Sequence, residues 1–270
     1  MILVIVLSII GLLVGVVASL LGVGGGFLNV PVLHLIGGVN MKNAVGTSLC
    51  VIAFTASSAT LSYCRQGKVD LVLGLILEGA TMPGAFIGAY LTGIIKSFML
   101  EGVFAAGLII VGTGMILGVK REVSARISWL HSVHLRRQLE DGEGRVLKYS
   151  INLPIAFGGC FIAGMASGFL GIGGGILKVP LLTLLGVPIH IAVATSCFMI
   201  LLTALVGITE HAMLGHVNTV YALAMGAGAV LGGQVGSRIS GKFTARGLRR
   251  LFGFFMVCIG IYMFYLAVWG

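Results

Sequence analysis

The sequence predicts an all-α polytopic membrane protein made of two inverted-topology repeats of five apolar segments, each repeat containing a glycine-broken helix. Composition, an internal duplication and the placement of basic residues predict it. Of the 270 residues, 58% are hydrophobic and 9% charged, and the mean hydropathy is +1.11. A soluble domain is about 45–50% apolar and about 25% charged. Apolar runs of about 20 residues, enough to cross a bilayer, recur along the chain. The 43 glycines fall largely inside these runs, where small residues let helices pack closely without a hydrophobic drive between them.

The duplication centres on Gly22-Val23-Gly24-Gly25-Gly26-Phe27-Leu28-Asn29-Val30-Pro31, which returns as Gly171-Ile172-Gly173-Gly174-Gly175-Ile176-Leu177-Lys178-Val179-Pro180. Around it, Leu21, Leu33 and Leu35 match Leu170, Leu182 and Leu184. One residue is lost after Gly37-Gly38, and Ala44, Val45, Thr47, Ser48, Thr55 and Ala56 then match Ala192, Val193, Thr195, Ser196, Thr203 and Ala204. Each half is one copy of a unit of roughly 120 residues. The expected organisation is a first repeat at 1–118, a basic connector at 119–150 and a second repeat at 151–270.

The elements follow in order. The first repeat holds apolar segments at 2–21, 24–37, 43–63, 70–94 and 98–118; the second holds them at 151–169, 174–187, 191–210, 217–238 and 249–269. Residues 2–21 lack a basic n-region and a small-residue cleavage signature, so a retained first helix is expected there. Segments 24–37 and 174–187 are short, and each is either a short crossing or the return arm of a re-entrant hairpin. Segment four carries Ala80, Gly84, Gly88 and Thr92 in one half and Gly228, Gly232, Gly236 and Ser240 in the other. A spacing of four puts these on one helix face suited to close packing. In the connector, Ile127, Trp129, Leu130, Val133 and Leu135 interleave with His131, His134, Arg136 and Arg137. That pattern reads either as an interfacial amphipathic helix on anionic lipid or as a plain solvated linker.

Charge orients the chain. A formal charge of +9 in so apolar a protein reflects basic cytoplasmic loops, not nucleic acid binding. The connector and the loop 238–250 are the two basic clusters, and both lie on the cytoplasmic side only if each repeat contains an odd number of segments. Five segments then enter the membrane in opposite senses in the two halves, which places both termini outside. Inverted repeats of this kind are the architecture of many secondary transporters.

The candidate site follows from the breaks. Successive glycines leave backbone N–H groups unobstructed, and the helix after them presents its positive end, so Gly24, Gly25, Gly26, Gly173, Gly174 and Gly175 make a candidate anion site. The competing reading is a tight turn and close packing. Asn29 and Lys178 occupy the same place in the two copies. A lysine within an apolar segment reads as functional, with snorkelling to an interface as its alternative. Glu78 lies inside segment four and is matched by Gly226; it could pair with Lys178 or take up a proton coupled to transport. Thr47, Ser48, Thr195 and Ser196 open segment three, where their hydroxyls could meet substrate or cap the helix. Gln234 reads as a helix–helix hydrogen bonder, and Glu210 and His211 as interfacial.

Five cysteines are scattered singly with no metal-ligand spacing, and no metal or cofactor is expected. The glycines lack the strand, helix and downstream acid of a dinucleotide loop, and the histidines show no HExxH spacing. An enzyme is not expected.

The paired LGxGGGxLxVP motifs, each followed by an A-V-x-T-S run, resemble the TauE/SafE family of the toluene sulfonate uptake permease superfamily. The resemblance covers nearly the whole chain. It implies a bacterial or archaeal inner-membrane permease for small sulfur-containing anions such as sulfite, thiosulfate, sulfoacetate or other organosulfonates, with export as the direction of many members. The partners it implies are a small anion and the lipid bilayer, with self-association left open. A permease for a different small solute and a nontransporting membrane-assembly protein are the alternatives.

Overall fold

A computed structural model describes residues 2–117, 134–140, 146–240 and 245–269. Among them the first half forms α1 (Ile2–Leu21), α2 (Gly26–Pro31) running into a π-helical turn (Val32–Ile36), α3 (Met41–Arg65), α4 (Leu71–Ile94) and α5 (Ser97–Leu117). A hairpin of β1 (His134–Glu140) and β2 (Val146–Asn152) follows. The second half forms α6 (Leu153–Leu170), α7 (Gly175–Leu184), α8 (Ile189–Met213), α9 (Thr219–Ile239) and α10 (Ala245–Trp269). Seven of these helices are long and apolar enough to cross a membrane on their own. The protein is an all-α polytopic membrane protein with one hairpin added.

Local chemistry sets several boundaries. Asn40, Asp70, Asn152 and Asn218 each accept a backbone N–H from three residues on, capping α3, α4, α6 and α9. Such caps satisfy donors that the first helical turn leaves open. The connector departs from expectation. Residues 127–133 lie outside the described residues, but His134–Arg137 are strand, not amphipathic helix. They pair antiparallel with Tyr149–Asn152, and alternate residues face Leu135, Leu139 and Leu147 toward the core beside Ile151. That alternation has period two, which a helix cannot present on one face.

The halves are interleaved. α1 packs on α9 and α4 on α6, so the first helix of each half lies against the fourth of the other. α5 packs on α10, and α3 and α8 meet at the centre. The glycine stripes make these contacts, as predicted. A Cβ at Gly84 or Gly88 would overlap the carbonyl oxygen of Phe161 or Met165 on α6; one at Gly228 or Gly232 would overlap that of Ser8 or Leu12 on α1. Gln234 donates to the Ser58 carbonyl of α3. Large apolar side chains such as Leu13, Phe86, Ile110 and Tyr262 cover the outside, where lipid is their solvent.

This packing predicts opposite outcomes for two glycines. Gly228→Val should force α9 off α1 and abolish a stable fold. Gly79→Val, where an added Cβ meets nothing within 4 Å, should stay within about 0.5 kcal/mol of wild type. Thermal unfolding in detergent reads both.

Candidate functional site

The two glycine breaks meet. Gly25 and Gly174, the residues capping α2 and α7, hold φ of 84° and 70°, left-handed conformations that only glycine adopts at little cost. Gly26 abuts the backbone of Gly171 and Ile172, and Gly175 abuts that of Gly22 and Val23. A side chain at either position would displace the opposite break. Both breaks lie on the same two residues: added Cβ atoms at Gly24 and Gly173 would stand 3.1–3.4 Å from Ile200 and Ile52. Ile52 and Ile200 are fully buried near the midpoints of α3 and α8, so the breaks converge where these helices cross. The amides of Gly24–Gly26 and Gly173–Gly175 donate to no backbone carbonyl among the described residues.

Two polar side chains beside the breaks have no hydrogen-bond partner among the described residues. Asn29, 0% exposed, lies near Gly25 with both amide atoms unpaired. Ser167 is equally buried under Gly174, and its Oγ is unpaired. Buried polar atoms are normally hydrogen-bonded, and an orphan invites a functional explanation. Ser167 was not apparent in the sequence because its counterpart is Ala18, which carries no polar signal.

Lys178 does not snorkel. It is 0% exposed, and its Nζ donates to Glu78 Oε1 at 2.8 Å and to Thr203 Oγ1 at 2.7 Å. Thr203 Oγ1 also lies 3.0 Å from both carboxylate oxygens of Glu78. The pairing of Glu78 with Lys178 is therefore observed, with Thr203 as the bridge. Thr203 sits one turn beyond Ile200 on α8, which places the ion pair next to the crossing. The duplicated Thr55/Thr203 match was the one signal for it.

The hydroxyls that open segment three neither cap α3 and α8 nor stand free. The helices begin earlier, at Met41 and Ile189, which puts Thr47-Ser48 and Thr195-Ser196 in their second turns. Ser48 donates to Gly171 O at 2.9 Å and Ser196 to Gly22 O at 3.0 Å. Thr47 accepts the N–H of Asn218, and Thr195 that of Asp70. Each half thus holds the break of the other. His211, read as interfacial, is instead fully buried, with Nε2 3.1 Å from Gly168 O.

A second polar cluster ties the hairpin to this core. Arg137 grips Asp70 with two hydrogen bonds of 2.9 and 2.8 Å, and Tyr149 donates to the same carboxylate at 2.5 Å. Burial alone would push the Asp70 carboxyl up; the bonds from Arg137, the Leu73 N–H and Tyr149 outweigh it and hold the group below the usual carboxylate range. Burial and the neighbouring carboxylate push the Tyr149 phenol up. The counterpart of Asp70 is Asn218, so the acid occurs only where the hairpin supplies an arginine.

Buried polar groups enclosed by membrane-length apolar helices are the construction of a multi-pass membrane transporter. The chain belongs to the sulfite exporter TauE/SafE family, whose model matches residues 7–263. It is 34% identical over 274 residues to the probable membrane transporter protein YunE of Bacillus subtilis, covering 98% of this chain and 99% of the relative. It is 27% identical over 276 residues to the probable membrane transporter protein MJ0441 of Methanocaldococcus jannaschii, covering 95% and 94%. The probable membrane transporter protein YdhB of Bacillus subtilis is 28% identical over 235 residues, 86% of each chain. No solved structure matches.

The ion pair predicts an asymmetric mutant cycle. Lys178→Met leaves Glu78 buried without its counter-charge and should destabilise the protein by about 3–5 kcal/mol. Adding Glu78→Gln to the Lys178→Met variant should recover most of that loss, as measured by unfolding in detergent.

Proposed function

We propose that the protein is a secondary transporter of a small sulfur-containing anion such as sulfite, thiosulfate or an organosulfonate, working as an exporter in a bacterial or archaeal cell membrane. The two halves run in opposite senses through the bilayer, with the basic connector on the cytoplasmic side and both termini outside. They expose one central site to each face in turn. Substrate sits between the glycine breaks, where the amides of Gly24–Gly26 and Gly173–Gly175 supply donors. Asn29 and Ser167 add polar groups, and Lys178 supplies the positive charge. Ser48 and Ser196 hold the breaks in place, and Thr47 and Thr195 hold the N-caps of α9 and α4, instead of contacting the anion.

The observation that carries this reading is the convergence of both breaks, with unpaired amides and two orphaned polar side chains, beside a buried lysine. Backbone donors in a dry site bind oxyanions without a fixed charge for each oxygen. Irregular backbone at membrane depth is tolerated where it lines a substrate cavity. Ile52 and Ile200 fill the crossing, so α3 and α8 must part before an anion enters. The family description names sulfite, which supports the substrate class.

Flux of sulfite in proteoliposomes, with thiosulfate and sulfoacetate as competitors, tests the reading. Ser167→Ala removes an unpaired buried hydroxyl and should leave stability unchanged or raise it by about 1 kcal/mol. Sulfite flux should fall at least severalfold in the same variant, and in Asn29→Leu. Unchanged flux in both variants contradicts the site. Flux of an unrelated solute alone indicates a different permease, and no flux of any solute indicates an assembly role.

A further inference from the structure

Lys178 poses a conflict for any anion reaching the crossing. Its charge is already neutralised by Glu78, and an incoming anion would meet a second negative charge in the same dry space. Like charges cannot share such a site unless one takes up a proton. The groups facing Glu78 leave the ion pair as the source of the conflict. α7 contributes Lys178 and α8 contributes the neutral Thr203. From α6 comes the buried thiol of Cys160, and from α4 itself Thr81, whose hydroxyl donates to the Leu77 carbonyl.

We propose that Glu78 is the proton-carrying group of the transport cycle, and that its protonation transfers Lys178 from Glu78 to the anion. The inference rests on the transport reading above. The proton comes from water on the face to which the site is open and binds a carboxylate oxygen of Glu78, giving a neutral acid. Lys178 keeps its charge throughout and donates to one oxygen of the anion in place of Glu78. On the opposite face the anion leaves, the proton returns to water, and Glu78 and Lys178 re-form their pair.

Charge accounts for the coupling. The empty core holds Glu78 carboxylate and Lys178 ammonium, with no net charge. The loaded core holds neutral Glu78, Lys178 ammonium and a monovalent anion, again with no net charge. A core carrying the proton alone or the anion alone holds a stranded charge, which an apolar interior strongly disfavours. Only the empty and doubly loaded forms therefore cross between faces. The result is electroneutral movement of one proton with one negative charge, so that sulfite would travel as bisulfite. Net flow is outward whenever the inside excess of anion exceeds the outside excess of protons. The other half has no equivalent: Gly226 stands where Glu78 does, packed against the ring of Phe54.

Proteoliposomes holding the full chain and a trapped pH dye test this with radiolabelled sulfite, with protein-free liposomes as the background. In wild type, sulfite entry should acidify the lumen, and with both faces kept acidic enough for bisulfite to predominate, an inside-alkaline gradient of one pH unit should accumulate sulfite about tenfold. Glu78→Gln should lower that ratio to about one, and Glu78→Asp, which keeps a titratable group, should retain accumulation. Sulfite flux without lumen acidification in wild type overturns the proposal while leaving the transport reading standing. Gradient-driven accumulation by a folded Glu78→Gln variant does the same. If neither substituted chain folds, the wild-type acidification and accumulation ratio decide the coupling. Absence of sulfite flux in wild type overturns both readings.

Discussion

Everything central in this protein depends on two strands of backbone touching where no side chain fits. Gly26 lies against Gly171 and Ile172, and Gly175 lies against Gly22 and Val23. Replacing a hydrogen by a methyl group at either point would part the two breaks. With that contact in place, the starts of α2 and α7 are held at the crossing of α3 and α8. Ser48 and Ser196 then reach the carbonyls of the opposite break. The exchange of α1 and α6 between the halves follows the same logic, since glycine stripes on α4 and α9 bring those helices to backbone distance. In lipid, where apolar surface gives little net drive for helix association, such close packing is the main source of cohesion.

The frame repeats, but the chemistry does not. Serines, threonines and glycines at matched positions make matched contacts in both halves. Three buried charged groups each occur in only one copy: Lys178 in the second half against Asn29, and Glu78 and Asp70 in the first half against Gly226 and Asn218. A single charged pair gives the centre one cation and one acid instead of two of each, which would be far harder to keep in an apolar interior. The hairpin is a further asymmetry. Its Arg137 and Tyr149 engage Asp70 at the cap of α4, two turns before Glu78 on the same helix.

Much of this was legible in the residues. The duplication gave five segments per half and their correspondence, and the stripe spacing gave the faces that pack. Lys178 and Glu78 stood out because ions are costly in apolar runs. What could not be read was anything requiring distances across the chain. Thr203 bridges Glu78 and Lys178 only once α4, α7 and α8 are assembled. Ser167 looks like an ordinary small residue until its hydroxyl is found without a partner. Thr47 and Ser48 seemed to open their helix because hydropathy begins there, whereas the cap at Asn40 starts it earlier. The hairpin was hidden because its apolar residues alternate with basic ones in a stretch too short to separate period two from helical period by eye.

The most direct measurement is the position of a heavy oxyanion in the purified protein. Selenite has the shape and charge of sulfite and can be located by anomalous scattering. The site predicts a single selenium peak between the glycine breaks, with the selenite oxygens within hydrogen-bond distance of the Gly25 or Gly174 amides and of Lys178 Nζ. In that state Glu78 should no longer hold Lys178. Selenium confined to the protein surface, with the Glu78–Lys178–Thr203 cluster intact at saturating selenite, would contradict it.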